Sequence, residues 1–488
     1  MQVERSRPNQ QGFEDLVRAS GRTPPSEERP VVCVQGLGFV GSAMAVAVAD
    51  ARDEAGHRFN VVGVELPTPE GAAKVDAING GRLPISTADT RLAQALQAAH
   101  ERGNIVATTD QRVYSLAAVA VVDISLDVIE DGGRPTVNLD GFRAAVSTLG
   151  EHLPAGSLIV VETTVPPGTT ERVAAPELAR ALERRGLGQD AVLLAHSYER
   201  VMPGDGYLDS IVNFWRAYAG TTTEAADACE AFLSGVVNVE SYPLTRLPST
   251  TASETAKVLE NSYRATTIAL MEEWGRFAEA ANIDLFEVIA AIRRRPTHSN
   301  MRQPGFGVGG YCLTKDPLLG EIAARDLFGL DDLDFPFSTL AVSVNQAMPL
   351  TSVAILQDAF EGGLAGRRIL LLGVSYRHGV SDTRSSPSET FVRAARKLGA
   401  EVVSHDPLVS EWAELGLAIE PTIPPPDGFD AVVFAVPHPE YSQLDLREWL
   451  GDVRPLVLDA NAVLDREQHR ALRDLGCRRL SIGRGLDA

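Results

Sequence analysis

The chain has 488 residues and a formal net charge of −20, with 44% hydrophobic and 23% charged residues, which is typical of a soluble globular protein. At roughly 150 residues per domain, this length predicts about three domains. The acidic charge disfavours nucleic acid or an anionic membrane surface as a partner, and we expect no apolar run to span a bilayer.

The four cysteines are Cys33, Cys229, Cys312 and Cys477. They are far apart in sequence and form no CxxC pair, which disfavours both a zinc site and a disulfide framework. We therefore expect no metal and a reducing, cytoplasmic location. Residues 1–29 are polar, contain prolines and lack the apolar core of a signal peptide, so we expect a flexible N-terminal extension.

A dinucleotide-binding motif opens the first domain, predicted over residues 30–225. The apolar run from Val31 to Val34 predicts a buried strand, a glycine-rich turn and a helix follow, and a second strand ends on Glu65. Glycines let a diphosphate approach the helix N-terminus, and the acid accepts from ribose hydroxyls, which favours NAD over NADP. The predicted cofactor-binding residues are Gly36, Gly38, Phe39, Val40, Gly41 and Glu65. The alternative is a glycine-rich turn in some other α/β domain.

Strand-like runs at 118–124, 157–162 and 191–196 continue the alternation and predict a doubly wound parallel sheet. Two loops follow its strands, 163–169 and 197–205, at the edge where such sheets bind ligands. Glu199 in the second loop is either a general base or a solvated charge.

A long central helix is predicted from Thr251, because apolar residues recur every three or four positions up to Ala281. This helix, in a helical domain over residues 226–350, is a candidate spine and homodimer surface. Lys257 and Asn261 share a face away from the apolar seam. On position alone, solvated side chains are the commoner explanation for both.

Alternation resumes in a third domain, predicted over residues 351–488. A helix near 351–362 precedes strand-like runs at 368–372, 401–404, 431–436 and 456–459, without a second GxGxxG motif. The predicted fold is therefore α/β, with two Rossmann-like domains joined by a long helix and a helical dimerisation domain. Two such domains suggest two nucleotide-bearing ligands, NAD and the substrate.

Between these domains the segment from Gly305 to Pro317 combines four glycines with a cysteine, a lysine and an aspartate. A cysteine on a glycine-rich loop beside charged groups is a candidate activated thiolate. A buried structural cysteine is the alternative, and the loop alone does not decide between them.

These motifs together resemble the UDP-glucose/GDP-mannose dehydrogenase family from Pro30 onward. The matching segments are 36–41, 162–169, 199–204, Lys257 with Asn261, 305–316 and 373–388. The resemblance implies a nucleotide-sugar 6-dehydrogenase, which oxidises a sugar C6 alcohol to a carboxylate with two NAD⁺ and no metal.

The resemblance also implies residue roles. Cys312 would form a thiohemiacetal and then a thioester, Lys257 and Asp316 would take the hydroxyl proton through a water, and Lys257 with Asn261 would stabilise the oxyanion. Glu199 would be the base of thioester hydrolysis. Thr164 would hold the water and also belong to the cofactor-binding residues. The implied substrate-binding residues are Phe306, Gly307, Gly309, Lys315, Arg377 and Arg384.

The sequence departs from the family at Ser125–Val128, where many members have a Val-Pro-Thr-Pro turn. The cysteine loop mixes features of the N-acetylhexosamine and UDP-glucose branches, so the sugar stays open, with UDP favoured over GDP. Two alternatives remain: a two-electron hydroxyl dehydrogenase, and a sugar-nucleotide-binding protein without catalysis. A two-electron enzyme has no use for the Cys312 thiolate.

Overall fold

The computed structural model describes residues 10–131, 133–420 and 422–485. It divides into two compact units. The first contains the chain up to Leu259 together with Leu319–Asp334, and the second contains Glu260–Leu318 and the chain from Phe335. This division cuts the central helix, whereas the sequence predicted three segments with the helix in the middle one.

The first unit is built on a sheet of eight strands among the described residues, in the order β12-β11-β10-β9-β6-β1-β4-β5, parallel except where β11 meets β10. The strands of the unit, including two small hairpins, are β1 (Val31–Gln35), β2 (Arg52–Asp53), β3 (Gly56–His57), β4 (Asn60–Val64), β5 (Ile105–Thr108), β6 (Val119–Val122), β7 (Val128–Asp131), β8 (Arg134–Val137), β9 (Leu158–Val161), β10 (Leu193–His196), β11 (Ala217–Gly220) and β12 (Thr245–Arg246). The predicted parallel α/β sheet is confirmed.

Helices cover both faces of this sheet and bury its apolar strands in two cores. They are α1 (Gln10–Ala19), α2 (Phe39–Asp50), α3 (Pro69–Asn79), α4 (Thr90–Arg102), α5 (Asp140–His152), α6 (Ala175–Arg184), α7 (Tyr207–Val212), α8 (Thr223–Leu233) and the start of α9 (Thr250–Ala280). Short 3₁₀ and π segments lie at Gln111–Leu116, Thr170–Ala174 and Ala323–Leu327.

The prediction of a flexible extension over 1–29 is wrong for the described part of that segment. Helix α1 buries Phe13 and Val17 completely, in the core that also contains Val31 and Val106. Two apolar side chains spaced four residues apart lie on one helical face, so a short polar sequence still packs on the domain. Residues 1–9 of the predicted extension lie outside the described residues.

The second unit has a smaller parallel sheet in the order β14-β13-β17-β18-β19. Its strands, with one small hairpin, are β13 (Arg368–Leu372), β14 (Glu401–His405), β15 (Glu411–Trp412), β16 (Leu417–Ala418), β17 (Ala431–Phe434), β18 (Leu456–Asp459) and β19 (Arg479–Ser481). Its helices are α10 (Leu285–Arg293), α12 (Pro336–Ala359), α13 (Pro387–Lys397), α14 (Pro439–Ser442), α15 (Leu446–Leu450) and α16 (Arg466–Asp474), with 3₁₀ turns at Pro296–His298 and Asp316–Leu318. Helix α11 (Leu319–Ile322) belongs to the first unit. From β13 the chain adds β14 on one side of the sheet and then β17, β18 and β19 on the other. The topological switch point therefore lies between β13 and β17, which is where doubly wound folds bind ligands.

Helix α9 buries the face that carries Lys257 and Asn261 and exposes much of the apolar seam. Tyr263, Trp274 and Phe277 on that seam are each more than half exposed. The periodicity therefore located the helix correctly, but the seam does not pack inside the chain, and the solvated explanation for Lys257 and Asn261 is wrong.

Helix α12 runs from Pro336 to Ala359, so the helix predicted near 351–362 is the end of a much longer one. By length and composition alone α12 could cross a bilayer, contrary to the expectation from the sequence. This is weak support for a membrane, because core helices of globular proteins have the same composition. Ala341, Met348 and Leu356 of α12 are buried within the second unit.

Candidate active site

The glycine-rich turn between β1 and α2 has the shape of a diphosphate cradle. Gly36 has a φ of +91°, and a Cβ there would lie 2.3 Å from the carbonyl oxygen of Asp123. A Cβ at Gly41 would lie 2.0 Å from the carbonyl oxygen of Gly36, so both positions require glycine. A Cβ at Gly38, the N-cap of α2, would meet no described atom within 4 Å, which leaves the turn open for a ligand.

Phe39 and Val40 form the first turn of α2. The carbonyl oxygen of Phe39 accepts a hydrogen bond from the Tyr207 hydroxyl at 2.6 Å, which fixes the start of the helix. The dipole of a helix favours an anion at its N-terminus. These residues fit the diphosphate of NAD.

Glu65 directly follows β4, and its carboxylate lies beside the same turn. It accepts hydrogen bonds from the Leu37 N–H at 2.7 Å, the Leu66 N–H at 3.2 Å and the Lys74 ammonium at 3.2 Å. Burial alone would lower the pKa of Lys74, but the Glu70 and Glu65 carboxylates outweigh it and raise that pKa. The carboxylate predicted to bind the ribose hydroxyls thus lies beside the turn, held by two backbone N–H groups and the Lys74 ammonium.

Lys257 of α9 is buried and binds the loop that follows β10. Its ammonium donates to the Glu199 carbonyl oxygen at 2.8 Å and to the Glu199 carboxylate at 3.1 Å. The other carboxylate oxygen of Glu199 accepts from the Val201 N–H. Glu199 is also buried, so it is a held carboxylate rather than a solvated charge.

Glu254, one turn before Lys257, holds the loop that carries Thr164. Its carboxylate accepts from the Gly168 N–H at 2.6 Å and from the Thr170 N–H at 2.7 Å and hydroxyl at 2.6 Å. Burial raises the pKa of Glu254 to about 7, against the effect of these hydrogen bonds. Thr164 itself is half-buried at the start of this loop, directly after β9.

In the second unit, the cysteine loop carries an exposed cysteine four residues before a buried aspartate. Cys312 is exposed, and its carbonyl oxygen accepts from the N–H groups of Lys315 at 3.2 Å and Asp316 at 2.8 Å. Asp316 is completely buried and accepts from the Asn261 amide and the Lys315 ammonium, each at 2.7 Å. Lys315, predicted to bind substrate, is thus committed to Asp316 and also lies 4.5 Å over the Tyr311 ring.

The other cysteines lie in environments that suppress thiolate formation. Cys33, Cys229 and Cys477 are all buried, and burial raises the pKa of each thiol. Of the four, which all lie in the described part of the chain, Cys312 alone is exposed. The thiolate is the nucleophilic form of cysteine, so Cys312 is the one suited to covalent chemistry.

A pocket of about 150 Å³ lies at the topological switch point of the smaller sheet, between β13 and β17. Its lining includes Phe306 and Gly307 of the cysteine loop and Arg377, which follows β13. Gly309 is packed so tightly that a Cβ would lie 2.7 Å from Pro387 at the start of α13. Arg384 binds the Asp382 carboxylate through two nitrogens at 2.9 and 2.7 Å and is not among the lining residues.

A buried polar network holds the wall of this pocket. Asp406 accepts from the N–H groups of Val374 and Ser375, both at 2.9 Å, and contacts His438 at 3.2 Å. His438 also contacts the Ser375 hydroxyl at 3.0 Å. Burial alone would raise the pKa of Asp406, but the His438 imidazole and the N–H groups of Ser375 and Leu408 outweigh it and lower that pKa. The loop after β13 is therefore fixed before any ligand binds.

Comparison with known proteins defines the class. Two nucleotide-type domains, a glycine-rich cofactor turn and an exposed cysteine on a glycine-rich loop define an NAD-dependent oxidoreductase. Three family descriptions of the UDP-glucose/GDP-mannose dehydrogenase family match: the NAD binding domain at residues 31–233, the central domain at 251–346 and the UDP binding domain at 370–466. The chain belongs to this family, and NAD is its cofactor.

Relatives cover most of the chain. The UDP-N-acetyl-D-mannosamine dehydrogenase of Pyrococcus horikoshii is 30% identical over 85% of this chain and 91% of its own length. The NDP-N-acetyl-D-galactosaminuronic acid dehydrogenase of Ralstonia nicotianae is 27% identical, over 85% and 92%. The solved UDP-glucose dehydrogenase of Pyrobaculum islandicum has a TM-score of 0.75 at 25% identity, covering 93% of this chain and 97% of its own.

Sequence reasoning missed the surroundings of three acids, Asp123, Glu254 and Asp406. Glu254, Lys257 and Asn261 are spaced by three and four residues, so a polar stripe on one helical face was the available signal. Asp123 was hidden in the strand predicted at 118–124, because the strand ends at Val122. One of its carboxylate oxygens is buried and has no hydrogen-bond partner among the described residues.

Proposed function

We propose that this protein oxidises the C6 alcohol of a UDP-sugar to the uronic acid in two successive two-electron steps, through a covalent Cys312 intermediate. The observation that carries the proposal is the exposure of Cys312 on a glycine loop anchored by the buried Asp316, while the other cysteines are buried. NAD⁺ supplies the hydride acceptor, one molecule for each oxidation.

Loss of a hydride and a proton converts the C6 alcohol to the aldehyde. The Cys312 thiolate adds to the aldehyde carbon, and the oxyanion that forms takes up a proton to give a thiohemiacetal. Loss of a second hydride and of that proton gives the thioester. Water then attacks the thioester carbon and releases its two protons to the base and to solvent, the carbon–sulfur bond breaks, and the products are the carboxylate and the restored thiolate. The aldehyde stays bound to the protein throughout.

Two polar pairs supply the proton chemistry of this proposal. Asn261 and Lys315 both donate hydrogen bonds to the Asp316 carboxylate and fix its position, and Asp316 is proposed to accept the alcohol proton through a water. Lys257 holds Glu199, the proposed base of thioester hydrolysis, and Thr164 lies on the loop proposed to hold the water. The Lys257 ammonium and the Asn261 amide are the donors proposed for the oxyanion.

For the substrate, we favour a UDP-N-acetylhexosamine, with UDP-glucose as the alternative. Support comes from the named activities of the relatives, several of which are N-acetylhexosamine enzymes, and from Gly307 to Gly310, which resembles that branch. Arg377 and Phe306 in the pocket of the second unit are proposed contacts of the nucleotide part, and Arg384 of the substrate from outside that pocket.

The test gives purified protein NAD⁺ and, separately, UDP-N-acetylmannosamine, UDP-N-acetylglucosamine, UDP-glucose, UDP-galactose and GDP-mannose. Two NADH per sugar consumed is the expected stoichiometry, and one NADH would identify a two-electron enzyme instead. Cys312→Ser is expected to lose acid formation while binding both ligands. A variant that still makes acid at the wild-type rate would rule out the covalent step.

We also propose that a second copy of the chain covers the exposed seam of α9. In the second unit, an apolar stripe runs along the helix and consists of Tyr263, Leu270, Trp274 and Phe277. The ring centroids of Trp274 and Phe277 lie 5.8 Å apart. Phe337 of the same unit is also largely exposed. A symmetric dimer places the same patch on both partners, so a long apolar stripe is suited to pack against its own copy.

A further inference from the structure

The second unit has another cavity, lined by none of the residues assigned to cofactor, substrate or catalysis. It has a volume of about 120 Å³ and lies beside β19, α16 and the end of α9. Its polar lining residues are Glu279, His469, Arg479, Ser481 and Arg484. We propose that this cavity binds a phosphate-type oxyanion.

The first argument is the concentration of guanidinium groups. Arg479 and Arg484 both line the cavity, and burial together with the charges of Arg473 and Arg484 lowers the pKa of Arg479. Arg484 is fixed, because its guanidinium pairs with Asp284 at 3.2 Å and lies 4.5 Å over the Phe286 ring. In a chain with a net charge of −20, positive charges that repel one another in a concave site favour an anionic ligand.

The second argument is a buried polar atom without a partner. His469 is 9% exposed, and its Nδ1 is buried with no hydrogen-bond partner in the described part of the chain. Its Nε2 lies 3.1 Å from an Arg484 nitrogen, which can only donate, so in a neutral imidazole Nε2 accepts and Nδ1 carries the hydrogen. If His469 is instead protonated and donates from Nε2 to Asp459 at 3.3 Å, Nδ1 again carries a hydrogen. Either state leaves a donor that an oxyanion would satisfy.

One acidic side chain lines the cavity, and its position limits its effect on a bound anion. Glu279 accepts a hydrogen bond from the Gly483 N–H at 2.7 Å. Burial raises the pKa of Glu279, with a further contribution from Glu272, which makes its neutral form more accessible. The cavity therefore offers two guanidinium groups, an imidazole N–H and the Ser481 hydroxyl, a donor set that matches the several acceptors of a tetrahedral oxyanion.

The cavity wall also adjoins the start of the cysteine loop. A Cβ at Gly483 would lie 2.2 Å from Pro304, which directly precedes Gly305. Gly275 of α9 is packed against the same proline, where a Cβ would lie at 3.2 Å. An anion that orders the segment after β19 would thus also restrain the entrance to the loop, and we expect occupancy to change the alkylation rate of Cys312.

The experiment titrates the full-length protein with inorganic phosphate by calorimetry at constant ionic strength, using chloride as the balancing salt. Saturable binding is expected, and removal of one charge-assisted contact by Arg479→Gln should weaken it by about tenfold or more. Ser481→Ala, a milder change, should weaken it less. Arg470→Gln is the matched control, because Arg470 is exposed on α16 next to His469 and does not line the cavity.

Further arms identify the site and the ligand class. Arg377→Gln changes the other pocket and should leave phosphate binding intact; if it abolishes binding while Arg479→Gln does not, the proposal is overturned. Acetate in place of phosphate tests a carboxylate, and tighter binding of acetate would refute a phosphate-type ligand. Absence of saturable phosphate binding to the wild-type protein would also refute it. A phosphate-dependent change in Cys312 alkylation that Arg479→Gln removes would support the link to the cysteine loop.

Discussion

Replacing Glu254 by glutamine tests whether this side chain holds the loop after β9. The carboxylate accepts three hydrogen bonds, one from Gly168 and two from Thr170. A glutamine has one acceptor oxygen, so if it keeps both Thr170 bonds, its NH₂ group faces the Gly168 N–H. A buried donor left without an acceptor costs about 1–3 kcal/mol. Local opening of the loop should then become roughly 5- to 150-fold more frequent, since each 1.36 kcal/mol is tenfold.

Amide hydrogen exchange measured by mass spectrometry on peptides covering residues 163–175 reports this opening directly. The measurement belongs about one pH unit above 7, because burial raises the pKa of Glu254 to about 7 and the side chain must be ionised. Exchange should increase from wild type to Glu254→Gln to Glu254→Ala, which loses all three acceptor contacts. Glu183→Gln, at an exposed position on α6, is the control and should match the wild type. Equal exchange in all four proteins would refute the assigned role.

Three further predictions follow from burial and exposure. Iodoacetamide should label Cys312 in the native protein and the other cysteines only after denaturation, and labelling of native Cys312→Ser would contradict this. Burial raises the pKa of Asp123 from 3.8 to about 8, so the folded state holds the proton more tightly and the stability of the fold decreases as pH rises between these values. Relative to Asp123→Asn, the denaturation midpoint of the wild type should therefore decrease across that range. Parallel curves for the two proteins would refute the shift in pKa. Trp274→Lys with Phe277→Lys should convert the proposed dimer to a monomer in sedimentation, whereas Leu330→Lys at another exposed position should not, and an unchanged mass would count against the proposed interface.

Much of the fold could be predicted because its strands are buried on both faces. Such strands appear as short apolar runs, and the runs at 368–372 and 456–459 match β13 and β18 residue for residue. The predicted run at 118–124 extended beyond β6, since the strand ends at Val122 and Asp123 and Ile124 lie in the loop after it. Helix α1 was missed because only Phe13 and Val17 face the core, too few for a convincing period.

The sequence was enough to propose which residues form the candidate site, but not which side chains each of them binds. The spacing of Lys257 and Asn261 placed them on one face, and the expectation was that both would serve one oxyanion. In each unit taken alone they bind different carboxylates, Lys257 that of Glu199 and Asn261 that of Asp316. Partners supplied by distant segments depend on tertiary packing, which helical periodicity does not encode.

The burial of these polar pairs is itself an argument for function. Taking a lysine and a carboxylate out of water is costly, and well-packed apolar residues of similar volume often give equal or greater stability. If Lys257 and Glu199 served only to stabilise the fold, apolar side chains at these two positions would do so at least as well. Asp316, completely buried yet joined to the exposed Cys312 through its backbone N–H, poses the same question in the second unit. Acid–base groups held in place before a ligand binds are what catalysis requires, and the proposed oxidation accounts for both pairs where fold stability does not.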